Sequence, residues 1–450
     1  MRVPDWSDLL PEEPGETEAL RLTGEVHDPG ALNSAATRRR MRLITIDQFL
    51  SGGSNLLVAV VAAHVLPTDS FGRYGIVAMV YILAAGVIRA LVNDPSLVHP
   101  EEAIGRRAEV VGANLTLGLG VGVLVAAAGA LARSHSPGLG DALMILGACL
   151  PLLGLQDLGR YLGIISQRPG RAIALDALWL VLLAAFLPFV ILSGHRTLPV
   201  FILVWAGSGA LAGLLVPVYY RHPFVRPGHR WLTYTWWFAW RYLASYLTTQ
   251  TAGLAALVGV GAIAGDEQLG GLQGSIVLTR PYGLVQAAMN ASAVSEVARS
   301  DAGAAEVRAH AFRTSRLATV VALANTVVML ALPASLGRIV LGNTWDAARP
   351  LLLATGVQII FLGMTTGLRA TLMGRKQTQY TVALDIAATI FTMVAVFVGA
   401  SLNGALGAVW GATIVQGVAV VLWWRLLAWR GAVGALEPVA GGTDLTQGVD

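Results

Sequence analysis

The sequence predicts an all-α integral membrane protein with about twelve transmembrane helices in two pseudo-repeated six-helix bundles. Three observations carry this. The first is composition: of 450 residues, 55% are hydrophobic and 13% charged, against about 25% charged in soluble domains. Mean hydropathy is +0.63, and apolar runs recur from Leu43 to Trp429, more than a soluble core can absorb. The second is the placing of basic residues, which fall mainly in every other loop. The third is an internal repeat. The stretch Arg160–Phe186 ends one apolar helix, turns through Ser166–Arg171 and begins another, and a similar pattern returns from Arg369. A shift of 209 residues (369 less 160) places Arg160 on Arg369 and Ala174-Leu175-Asp176 on Ala383-Leu384-Asp385. The arginine and aspartate carry the match, because charge is scarce in both segments. Paired halves are a common plan for membrane transport proteins.

Taken in order, residues 1–41 read as a disordered acidic cytoplasmic tail ending in a basic anchor. Residues 1–37 hold eight carboxylates against Arg2 and Arg21, and no apolar region of a signal peptide is present. Arg38-Arg39-Arg40-Met41-Arg42 then abuts the first span, which holds that end in the cytoplasm.

The N-terminal bundle, 42–220, is expected to contain spans at about 44–66, 72–94, 108–132, 141–165, 172–193 and 198–220. The C-terminal bundle, 243–430, is expected to contain spans at about 243–264, 269–295, 317–341, 348–372, 378–400 and 404–425. Most of these suit a hydrocarbon core of roughly 30 Å at about 1.5 Å per residue. Twenty basic residues then fall in loops assigned to the inner side and four (Arg133, Arg196, Arg338, Arg349) in the outer loops. That asymmetry predicts both termini inside. Between the bundles, 221–242 combines arginines with Trp231, Trp236, Trp237 and Trp240, a pattern suited to an interfacial basic and aromatic linker. The segment 431–450 reads as a second disordered cytoplasmic tail. The basic residues are almost all arginine, Lys376 being the one lysine, which points to a GC-rich and bacterial genome.

No enzyme chemistry is legible. There is no phosphate-binding P-loop and no H-E-x-x-H. The eight histidines are scattered without ligand spacing, and Cys149 alone can form neither an intramolecular disulfide nor a multi-cysteine metal site. The expected outer loops are too short for a convergent catalytic cluster. Neither a cofactor, a metal nor a nucleic-acid partner is expected.

What remains is charge inside the spans, where it is expensive and therefore a functional candidate. The acidic set is Asp47, Asp94, Asp157, Asp176 and Asp385; the basic set is Arg89, Arg160, Arg280 and Arg369. Arg160 and Asp176 stand eight residues either side of Arg168, so an antiparallel hairpin brings them to similar depth; Arg369 and Asp385 repeat this around Gln377. Either these are hairpin staples, each an ion pair, or they line an inner vestibule. Arg89 can pair with Asp47 or Asp94. The predicted helix of Arg280 offers no carboxylate before Glu296, and Arg280 sits near mid-membrane beside Pro281, which frees the carbonyl of Val277.

The layout resembles the multidrug/oligosaccharidyl-lipid/polysaccharide (MOP) exporter superfamily, and within it the polysaccharide (O-antigen type) flippases. The carrying residues are Asp69-Ser70-Phe71-Gly72-Arg73-Tyr74-Gly75, opening the second span, and their echo Glu267-Gln268-Leu269-Gly270, opening the eighth. A shift of 198 (270 less 72) puts Gly72 on Gly270. The repeated hairpins fit the same plan. The resemblance covers about 42–430 and implies a MATE-like, V-shaped pair of bundles around a central cavity in a bacterial plasma membrane. It implies a flippase moving an undecaprenyl-pyrophosphate type oligosaccharide by alternating access for surface polysaccharide biosynthesis, with a proton or sodium ion as coupling partner. Glycosyltransferases or a polymerase of the same pathway are implied as further partners. A cation-coupled multidrug or small-molecule antiporter of the same fold is the alternative. The implied cavity residues are Arg280, Arg89, Asp47, Gln250 and Asn290. Two departures stand: lipid II flippases typically have fourteen spans, and the acidic cluster of cation-coupled exporters is reduced here to Asp47 and Asp94.

Overall fold

The computed structural model describes residues 56–434 apart from 167, 193, 221–227, 300–302 and 375–377. Among the described residues all regular structure is helical. Twelve rods follow one another among these residues: α1 (Leu56–Val65), α2 (Thr68–Val98), α3 (Arg107–Ala132), α4 (Pro137–Ile165), α5 (Pro169–Leu192) and α6 (Leu198–Gly213), then α7 (His229–Ala264), α8 (Asp266–Arg299), α9 (Ala304–Ala331), α10 (Leu352–Gly374), α11 (378–402) and α12 (405–434). Short helices at Pro100–Gly105, Val216–Tyr220, Ala334–Leu341 and Thr344–Ala348 join some of them.

Length and composition let α2 to α5 and α9 cross a membrane, as they do α6 with its continuation to Val218, α10 together with Thr344–Leu351, and the apolar run Leu384–Leu426 that spans the α11–α12 break. α1 and the second part of α7, Gln250–Ala264, form shorter apolar helices. α8 is absent from both groups. It carries Asp266, Glu267, Gln268, Gln273, Arg280, Gln286 and Glu296 and is the least apolar of the long rods. A helix that polar survives in lipid only where it faces other helices or a cavity.

Two spans, the ninth and the seventh, depart clearly from the sequence expectation. The ninth span is expected at 317–341, but α9 begins at Ala304 and stops at Ala331, because Pro333 cannot donate to the helical ladder; the chain restarts as Ala334–Leu341. α7 starts at His229, within the stretch expected as an interfacial linker, and runs unbroken for 36 residues. Its Trp231 is fully buried in one apolar cluster with Val92, Val110 and Ala113, whereas Trp236, Trp237 and Trp240 are exposed. Further along, Leu254, Leu257 and Val260 of α7 pack in the C-terminal half. α11 and α12 are parted at Asn403–Gly404, where Gly404 takes φ +55°, a conformation that favours glycine. Gln268 of α8 accepts the Ala405 amide at 2.8 Å and so caps α12.

The two halves meet through α2, which packs on α7 and α8. At the end where α2 and α8 begin, contact is backbone to backbone. A Cβ on Gly72 would lie 2.5 Å from the Asp266 carbonyl and 2.7 Å from the Gly270 amide, and one on Gly270 only 2.1 Å from the Thr68 carbonyl. Gly72 and Gly270, which a shift of 198 residues superposes in the sequence, thus meet in the α2–α8 contact. Arg73 bonds Asp266 there, Nε to Oδ2 at 2.8 Å.

Candidate functional site

α2 supplies the first charged group. Its helical ladder widens into a π-turn at Arg89–Asn93, just before Asp94-Pro95. Pro95 has no amide to give Leu91, so the ladder must shift there, and such π-bulges recur at functional sites. The turn aims Arg89 at Asp157 of α4. The guanidinium grips the carboxylate with both prongs, Nε to Oδ2 at 2.7 Å and Nη2 to Oδ1 at 2.8 Å. Asn93 donates to the same carboxylate at 2.9 Å, and Asn114 of α3 donates to Asn93 at 3.3 Å.

Arg160 extends the chain of charge. It lies 3.5 Å from Asp157 on its own helix and 3.1 Å from Asp176 across the α4–α5 hairpin. Gln156 donates to Asp176 at 3.0 Å. Arginine and carboxylate therefore alternate from Arg89 through Asp157 and Arg160 to Asp176. In the other half Arg369 meets Asp385 at 2.7 Å and lies over the Trp423 ring, 5.7 Å from its centre. Both repeated hairpins thus carry their own ion pair. Arg89 does not follow the expectation: its partner is Asp157, not Asp94, and Asp47 lies outside the described residues. Asp94 instead accepts the Tyr161 hydroxyl at 3.5 Å.

Two cavities flank the α2–α8 contact. The first, about 440 Å³, lies against the N-terminal half and is lined by Tyr74, Tyr81, Arg89, Gln156, Asp157, Arg160, Trp205 and Arg280, among others. Three arginines face one carboxylate on that wall. The second, about 390 Å³, lies against the C-terminal half. α7 contributes Leu257 and Val260, α8 Gln273 and Ile276, α10 Thr355 and Gln358, and α11 and α12 Val396 and Val409. Arg280 lines both cavities, as do Ala78 and Ile82 of α2. It stands fourteen residues into α8, about 21 Å along the helix.

Gln250 and Asn290 are part-buried and line neither cavity. Gln250 stands one turn short of Gly253, where the lining stripe of α7 begins, and Asn290 stands six residues, about 9 Å, past Leu284. Asp157 and Tyr81 line the charged cavity and are absent from the expected cavity set; Asn93 is buried behind them on the Asp157 carboxylate. The signal that could have found Asp157 is its place one helical turn from Arg160.

No family model matches the chain, and no curated protein matches it. Solved structures do. The inward-facing conformation of a multidrug resistance MATE family transporter of the MOP superfamily aligns with a TM-score of 0.66 at 15% identity, over 88% of this chain and 99% of that one. The lipid II flippase MurJ, in an inward closed conformation, aligns with a TM-score of 0.64 at 10% identity, over 88% and 90%. An outward-facing MATE family transporter of the MOP superfamily aligns with a TM-score of 0.57 at 17% identity, over 92% and 100%. The chain has the MATE fold.

Proposed function

We propose that this protein is a flippase that carries an anionic lipid-linked oligosaccharide across the bacterial plasma membrane by alternating access of its two halves. The observation that carries the reading is the charged cavity, where Arg89, Arg160 and Arg280 share a wall with Asp157 alone. Guanidinium grips phosphate oxygens bidentately, so such a wall suits a pyrophosphate. A cationic drug would meet net repulsion there, and the Asp157 carboxylate is already engaged by Arg89. The fold shared with a lipid flippase and with multidrug transporters supports movement of a substrate.

The state described here is read as inward-facing. The contact around Gly72, Gly270 and Arg73–Asp266 closes the end that the arginine asymmetry assigns to the outside. The better superposition on an inward-facing than on an outward-facing neighbour, 0.66 against 0.57, supports the same reading. Coupling to a proton or sodium ion, and work beside glycosyltransferases of one pathway, are part of the proposal.

The test is Arg280→Ala in the cell of origin. Surface saccharide export is expected to stop, with normal membrane levels and normal melting, while Arg280→Lys keeps the charge without the fork and retains partial export. Normal export by Arg280→Ala overturns the reading.

A further inference from the structure

We infer that the two cavities are one bipartite site, in which the apolar cavity takes the first carbons of a hydrocarbon chain. Arg280 then holds the anionic group that joins this chain to a polar head in the charged cavity. The inference rests on the reading of the arginine cavity as an anion site and adds where the lipid part of the substrate lies. It assigns the head to the N-terminal half and the chain to the C-terminal half.

Three features on either side of Arg280 carry it. The first is the shared wall: Ala78, Ile82 and Arg280 face both spaces, so α2 and α8 form a partition with a guanidinium in it. The second is the chemical contrast. On the C-terminal side Met79, Leu257, Val260, Ile276 and Val396 dominate a surface that also holds the neutral Gln273, Thr355, Gln358 and Thr392, and Arg280 is the one charged residue among the lining side chains. Apolar spaces are poor hosts for water and good hosts for hydrocarbon. On the N-terminal side the lining carries three arginines, Asp157, Gln156 and two tyrosines, groups that hydrogen-bond hydroxyls and phosphates.

The third is size. A space of about 390 Å³ holds about a dozen methylene-sized groups, if each takes the ~30 Å³ that a water takes in the liquid. It therefore receives the carbons nearest the anion, the first two or three isoprene units of a polyprenyl chain. A free sugar phosphate would leave this cavity unused.

The test uses the full chain in nanodiscs of zwitterionic lipid, with three probes: farnesyl pyrophosphate, inorganic pyrophosphate and farnesol. Farnesyl pyrophosphate is expected to bind at least tenfold more tightly than either of the others. Ala256→Phe, which fills the apolar cavity, should weaken farnesyl pyrophosphate at least tenfold and leave pyrophosphate unchanged. Arg280→Ala should weaken both pyrophosphates and leave farnesol unchanged. Should Ala256→Phe melt abnormally, the unaltered protein decides: a diazirine on the farnesyl chain is expected to cross-link Met79, Leu257 or Ile276. Equal binding of farnesyl pyrophosphate and pyrophosphate overturns the bipartite site and leaves the anion cavity standing. So does cross-linking confined to residues outside the cavity. Failure of both pyrophosphates to bind removes the anion reading as well.

Discussion

Replacing Asp157 by asparagine takes the one carboxylate from a wall built around arginines. The Asp157 side chain is 5% exposed and holds both prongs of Arg89, at 2.7 and 2.8 Å, besides Asn93 at 2.9 Å. One-sided removal from a buried ion pair typically costs about 3–5 kcal/mol. Two features lower that figure. The Arg89 side chain keeps 39% of its exposure, so it can rehydrate in the cavity, and Arg160 retains Asp176 at 3.1 Å. The expected cost of Asp157→Asn is therefore about 2–3 kcal/mol. Arg89→Gln alone leaves Asp157 with Arg160 and Asn93 and should cost about 1–2 kcal/mol. The double variant replaces a charged pair by two amides that can bond each other, so its cost should fall short of the sum by about 1–2 kcal/mol. The assay is thermal unfolding of all four proteins in one detergent. Taking roughly 2 °C per kcal/mol for a long chain, Asp157→Asn should melt about 4–6 °C low, and the double variant no lower. Additive shifts, within ~0.5 kcal/mol, would refute the view that Arg89 and Asp157 fold as one unit.

Gly270→Ala places a methyl group 2.1 Å from the Thr68 carbonyl, which the backbone cannot absorb; the halves should part at that end. With Cys149→Ala as background, disulfide cross-linking between cysteines at Ser70 and Glu267 is expected to fall several-fold, and unchanged cross-linking counts against the glycine contact as what holds that end closed. Arg369 and Asp385 are each 39% exposed, so breaking their pair should cost only about 0.5–1 kcal/mol. A loss as large as that of Asp157→Asn, measured in the same melting assay, would overturn the ranking of the two halves. In the same background, cysteines at His135 and Asn403 should react with a membrane-impermeant reagent added to intact cells, and one at Arg107 should not. Labelling at Arg107 from outside would reverse the topology.

The hairpin pairs were legible in the sequence because their geometry is local. Arg160 and Asp176 are sixteen residues apart, as are Arg369 and Asp385, and a fixed rise per residue brings charges equidistant from a turn to the same depth. The membrane class was legible for a similar reason: it follows from the length and composition of apolar runs. The Arg89 partner was not. The sequence offered it Asp47 or Asp94, and the pairing with Asp157 depends on how each helix is rotated about its own axis. In these spans that rotation leaves little trace in sequence, since faces toward lipid and faces toward protein are both apolar. Only the packed bundle set Asp157 opposite Arg89, brought Gly72 against Gly270 across 198 residues, and made α2 and α8 the partition between a charged and an apolar cavity.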